Sequence, residues 1–266
     1  MPVKPGSGRI LLALDLSPRS RLALEMAAAL AAELNVELAG LFVEDIDLLH
    51  LSGLPFAREV GVFSRGSSPM VVDDMERAMQ REASEVQRLL AEAAERMRLR
   101  WSFQVARGRI ASELFAQAGN FDLVVLGKCA RLGLRLVGDS LAEVESRPRA
   151  ASPVVAVYDD SAAARRALEL SDRIARASGA ELQVLVIAAK AGDCAGKLDA
   201  AKTYAAQAEI SASIRRCISA GMISELTRAV RQAGASVLVL ESERFRSSEG
   251  FASLLNEVDC PVILVG

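Results

Sequence analysis

The chain of 266 residues holds one histidine, His50, and one tryptophan. Triads and metal sites that draw on several imidazoles are therefore outside its reach. Its four cysteines, Cys129, Cys194, Cys217 and Cys260, include no C-x-x-C pair, which argues against a zinc site and leaves them as small buried hydrophobes. Lys plus Arg (32) nearly balances Asp plus Glu (34), so no charge excess points to nucleic acid or to an anionic membrane. Apolar residues make up 51%, yet no run approaches the ~18 residues that a membrane span needs. The opening MPVKPGSGR has no apolar signal core, and the expected location is cytoplasmic. Neither G-x-x-x-x-G-K-[ST] nor a G-x-G-x-x-G after a strand occurs.

What is present is a repeat. Sliding the chain by 144 residues places Asp15 on Asp159, Ser17 on Ser161, Arg21 on Arg165, Glu25 on Glu169 and Glu37 on Glu181 without a gap. Each copy reads as strand, turn, helix, strand. Ile10 to Leu14 and Val154 to Tyr158 are apolar throughout, the pattern of a parallel strand buried on both faces. Each ends in Asp, and Ser17 and Ser161 follow at helix N-cap positions, with Pro18 at the first helical position of copy one.

Further along copy one, residues 44–65 form an apolar stretch without periodicity, carrying Leu48, Leu49, Leu51, Leu54, Phe56 and Phe63. Such a stretch is either a flap folded on its own domain or a partner surface. His50 inside it reads as a local hydrogen-bonding residue rather than a base. Ser67 or Ser68 is expected to cap a long helix reaching about Arg98, with Asp73 and Asp74 at its positive end. Trp101, Phe103 and Val105 alternate as a strand, Ile110 to Ala118 reads as a helix, and Phe121 to Leu126 as a buried strand entering the turn GKCARLGLRLVGDS. Copy two repeats this plan in shorter form: a helix within 197–208, a strand near 210–218, a helix near 224–233, a strand at 236–240, a short helix near 251–256 and a closing strand, Pro261 to Val265.

The D-x-S-P after the first strand, the Ala/Leu-rich helix, the fourth strand entering a glycine-bearing turn and the terminal DCPVILVG together resemble the universal stress protein family over nearly the whole chain. The resemblance implies an α/β fold of two tandem open parallel-sheet domains of the adenine-nucleotide α-hydrolase-like type, residues 1–150 and 151–266. In one subclass of the family ATP binds above the carboxyl ends of the strands. The family's nucleotide motif, G-x2-G-x9-G-[ST], is matched only in part: Gly127 fits its first glycine, Ala130 stands at the second, and Gly138 comes two residues early, with Asp139 before Ser140. Gly133 offers flexibility there, and Lys128, Arg131 and Arg135 offer charge. By the same resemblance Asp15 and Val43 lie against the base or ribose, although Asp15 by itself reads equally as a turn-former. The nucleotide site that the resemblance implies is thus Asp15, Val43, Gly127, Lys128, Gly138 and Ser140. In copy two Glu241 replaces the first glycine, and phosphate binding looks lost.

These features imply a non-catalytic stress-response binding module that self-associates, acts through a protein partner still to be named and binds ATP in copy one only. The alternatives are slow ATP hydrolysis and a ligand-free scaffold. One topological expectation follows from counting. About a dozen residues separate Ser140 from Pro153, too few for copy one to own a fifth strand, so the edge left by Leu123 to Leu126 is expected to be covered by Pro261 to Val265 or by a partner chain.

Overall fold

The computed structural model describes residues 8–47, 50, 58–60, 67–69, 72–127, 152–188, 190–219, 223–243 and 251–266. The first half runs β1 (Arg9–Ala13), α1 (Pro18–Leu34), β2 (Glu37–Asp45), a small antiparallel hairpin of β3 (Arg58–Val60) and β4 (Ser67–Pro69), α2 (Val72–Arg96), β5 (Trp101–Gly108), α3 (Ile110–Ala118) and β6 (Leu123–Leu126). The second half follows with β7 (Val154–Tyr158), α4 (Ala162–Ser178), β8 (Leu182–Ala188), α5 (Cys194–Gln207), β9 (Ala212–Ser219), α6 (Ile223–Ala233), β10 (Val237–Glu241), α7 (Phe251–Glu257) and β11 (Val262–Val265). The long helix starts at Val72 rather than at Ser67 or Ser68, because those serines pair in β4; Asp73 and Asp74 do stand in its first turn.

The α/β expectation holds, with the halves joined. Nine strands form one sheet in the order β5-β2-β1-β6-β11-β10-β7-β8-β9. Within each half the pairs are parallel, and both halves use one plan, the first strand lying between the second and the fourth. The seam is the exception: β11 pairs antiparallel with β6, Val262 facing Leu126 and Val265 facing Leu123. The closing strand thus serves both halves, binding β10 on one side and covering the β6 edge on the other. Uncovered, that edge would expose a row of unpaired N–H and C=O groups.

Burial on both faces explains the unbroken apolar strands. Ile10, Leu12 and Leu14 point to one face, where α1, α2, α4 and α5 pack; Leu11 and Ala13 point to the other, toward α3, α6 and α7. Each layer is continuous across the seam: Val125, Val239 and Ile263 share one cluster, and Phe115 of α3 meets Phe251 of α7 at a centroid distance of 5.4 Å in the other. Chain reversals match as well. The caps Asn35 and Gly179, 144 residues apart, are both left-handed (φ 52° and 67°), and each donates its N–H back to the last turn of its helix.

The cysteine expectation needs correcting. Cys194 and Cys217 form a disulfide between the start of α5 and β9, which no sequence spacing announces; Cys260 is a buried thiol as expected, and Cys129 lies outside the described residues. Of the apolar stretch, Leu48, Leu49, Leu51, Leu54, Phe56 and Phe63 also lie outside them, while His50 is described and exposed. Among the described residues no helix is long and apolar enough to cross a membrane.

Candidate functional site

In each half the strand order reverses beside the first strand, and the crevice at the carboxyl ends of the strands there is where open α/β sheets take ligands. In the first half that place is the end of β1 and β6. Register brings Ala13, Leu41 and Leu126 level, so Asp15, Val43 and Gly127 follow at the same sheet edge. Val43 is half-buried in β2. Lys128, Gly138 and Ser140 lie outside the described residues.

Asp15 is a turn-former in the structure. Its Oδ1 accepts the Ser17 N–H at 2.9 Å and the Ser20 hydroxyl at 2.6 Å, and its own N–H donates to Ser20 Oγ at 3.1 Å. Ser17 caps α1 by accepting the Ser20 N–H at 3.2 Å. Ser20 is itself buried, and Gly127 is pressed against it. A Cβ at Gly127 would stand 2.7 Å from Ser20 Cα and 2.8 Å from its Oγ. The glycine is needed for this close approach of β6 to the start of α1. The resemblance assigns Gly127 to phosphate, whereas its close neighbour in the structure is Ser20, whose hydroxyl the S-P-R-S spacing puts on Asp15.

The second half repeats the local geometry and alters its chemistry. Asp159 Oδ1 accepts the Ser161 N–H at 3.0 Å, and Ser161 Oγ accepts the Ala164 N–H at 3.0 Å. Above them opens a cavity of about 660 Å³, lined by Asp159, Ser161, Ala162, Ala163, Arg166, Glu241, Glu243 and Gly266. Three side-chain carboxylates line it against one guanidinium, which already donates to the backbone oxygen of Gly266 through Nε (3.2 Å) and Nη2 (2.6 Å). Glu241, at the place of Gly127, is buried, and its Oε2 accepts the Glu243 N–H at 3.0 Å. At an effective dielectric near 20, a carboxylate ~4 Å from a phosphate oxygen opposes binding by about 4 kcal/mol. Arg166 and Glu243 carried no sequence signal, since Arg166 faces Leu22 in the first copy and its partner Gly266 is remote in the chain.

Beside this cavity the end of β7 is filled with aromatic and charged groups. Tyr158, fully buried, donates to Asp160 Oδ1 at 2.9 Å, and Arg165 pairs with the same oxygen at 2.9 Å. The two hydrogen bonds, that from Arg165 first, hold the Asp160 carboxyl below its ordinary range. Tyr204 of α5 lies near Tyr158, 6.3 Å between centroids, and donates to Glu169 at 2.6 Å. Burial, and then this bond to Glu169, push the Tyr204 phenol up to about 12. Copy one has Leu14 and Leu16 where copy two has Tyr158 and Asp160.

Comparison with solved structures decides the fold. A universal stress protein from Archaeoglobus fulgidus DSM 4304 superposes with a TM-score of 0.55 at 16% identity, covering 97% of this chain and 95% of that one. The chain has the universal stress protein fold. Its sequence matches no family model and no curated protein. Shorter members of the fold align with part of the chain: a universal stress protein in complex with cAMP (TM-score 0.36, 20% identity, 43% of this chain and 96% of that one) and a protein of the same family from Burkholderia pseudomallei (0.32, 22%, 47% and 84%). The superposition on the Archaeoglobus protein runs over nearly the full length of both chains.

Proposed function

We propose that the chain is a two-domain universal stress protein, residues 1–150 and 151–266, which works in the cytoplasm as a non-catalytic stress-response module: it binds itself and a protein partner, and it holds an adenine nucleotide, ATP first among them, in the first domain only. The observation that carries this reading is the contrast at the end of the fourth strand. There Gly127 adds no side chain or charge where the end of β6 packs on the start of α1, whereas Glu241 adds a buried carboxylate to a cavity that already holds Asp159 and Glu243. Backbone N–H groups at a helix start favour an anion, and converging carboxylates repel one. Asp15, Val43 and Gly127 share the edge where such a nucleotide would lie, and Lys128, Gly138 and Ser140 are assigned to its phosphates from their place in the turn alone.

The test is native mass spectrometry of the purified protein after incubation with ATP. One retained ATP, lost in Lys128→Glu and kept in Glu241→Gln, is the expected result. Two bound nucleotides would overturn the restriction to the first domain, and loss only in the Glu241 variant would reverse the assignment of domains. Accumulation of ADP with time would remove the non-catalytic part of the reading.

A further inference from the structure

The start of α5 is a helix turn with little of its own to hold it. From Cys194 to Ala200 no residue is buried; Ala201 is the first, followed by Ala205. Its N-cap Asp193 makes no side-chain capping bond, and Gly196, with open space around its missing Cβ, lowers the helix propensity of this turn. Two tethers nevertheless fix this turn over the end of β7. The disulfide Cys194–Cys217 ties its first residue to edge strand β9, where Cys217 is in register with Val186 of β8. Three residues on, and so on the same helix face, Lys197 donates its ammonium to the carbonyl of Asp159, which lines the second-half cavity.

We propose that Cys194–Cys217 is a reversible thiol–disulfide site, served by a protein dithiol, that latches the first turn of α5 and with it Lys197 across Asp159. Both cysteines are only half-buried, so a reductant reaches them, unlike the buried Cys260. A thiolate of the dithiol attacks one of the two sulfurs; the S–S bond breaks and the other cysteine leaves as a thiolate that takes up a proton. The second thiolate of the reductant then resolves the mixed disulfide, so that the protein gains two electrons and two protons and the dithiol ends as its own disulfide. Without the covalent tether, one lysine–carbonyl bond, the packing of half-buried Leu198 on the core and a glycine-bearing, uncapped turn remain, and local opening becomes easier. The latch concerns the second half and does not depend on nucleotide in the first. In the compartment proposed above, such a bond is more often a sensor than a staple.

Hydrogen exchange and brief trypsin digestion of the full-length protein, oxidised and then reduced with dithiothreitol, test this. Reduction is expected to speed exchange over residues 194–200 roughly tenfold and to expose the bond after Lys197 to trypsin, while α4 and α6 keep their protection. A Cys194→Ser/Cys217→Ser protein should match the reduced state under both conditions; if that variant fails to fold, the wild-type comparison decides by itself. Equal exchange in both states overturns the proposal, as does alkylation of both cysteines in the oxidised protein. A uniform loss of protection across α4, α5 and α6 overturns it too, since the bond would then be a staple for the whole half.

Discussion

Gly127 and Ser20 meet so closely that the residue following β6 and the first turn of α1 behave as one packed joint: a Cβ on the glycine would lie 2.7 Å from the serine's Cα. Because the clash is with backbone, no rotamer relieves it. Gly127→Ala should cost about 1–3 kcal/mol by overpacking, and Ser20→Gly should not restore it, since the α-carbon at position 20 remains in the way. Urea unfolding of the three proteins checks this. Full rescue by Ser20→Gly would place the strain on the hydroxyl instead. It also follows that lost ligand binding in a Gly127 variant would not by itself report a phosphate contact.

The seam makes a second prediction. Deleting residues 261–266 removes β11 and leaves β6 and β10 as bare edges inside the sheet. The shortened protein should aggregate, or unfold in two steps instead of one, when followed by light scattering and circular dichroism. A monomer with an unchanged single transition would show that β11 is dispensable.

Tyrosine titration gives a third. The chain has only two tyrosines, and both phenols are raised, Tyr158 by burial and then its bond to Asp160, Tyr204 to about 12. Raised folded values mean that this stabilisation is complete below pH ~10 and is lost as pH climbs toward 12, where the unfolded chain ionises first. Ultraviolet absorbance should show no phenolate forming near pH 10 in the folded protein, and both should appear with alkaline unfolding. A tyrosine that titrates at its ordinary value while the fold persists would contradict the Tyr204–Glu169 contact.

At the acid end Glu37 is the group to watch. Ser102 donates to its Oε1 at 2.6 Å and Arg9 pairs with it at 3.2 Å; the Ser102 bond first, then Arg9, hold its carboxyl below the ordinary value. A lowered folded value gives stability that is present above pH ~4.5 and lost as the pH falls through the folded value. Ser102→Ala should lower the melting temperature most at pH 7 and least near pH 3, and so flatten the fall between about pH 5 and 3. An identical acid profile in that variant would mean the contact does not bear on ionisation.

The helix caps provide the last. Asn35 and Gly179 hold matching left-handed positions, the glycine with open space around its missing Cβ. Gly179→Ala should therefore cost roughly 1–2 kcal/mol from backbone strain alone, and Gly179→Asn markedly less. Thermal denaturation would show the order. Equal costs would point to packing.

The sequence carried most features set by near neighbours, although the start of the long helix at Val72 was not among them. Wholly apolar runs at Ile10–Leu14, Phe121–Leu126 and Val154–Tyr158 foretold strands buried on both faces, and Ser17 and Ser161 foretold two helix starts, because periodicity and capping are decided within a few residues. Counting from Ser140 to Pro153 even marked the edge needing cover and offered Pro261–Val265 for it. Contacts between distant segments were beyond that reach. The antiparallel sense of β11 against β6, the grip of Arg166 on Gly266, Ser20 beneath Gly127 and the pairing of Cys194 with Cys217 arise only when elements far apart in sequence are packed together. A strand's own residues fix that it will be buried, but not the direction of its neighbour; a cysteine's neighbours fix neither its exposure, as half-buried Cys194 and Cys217 show, nor its mate.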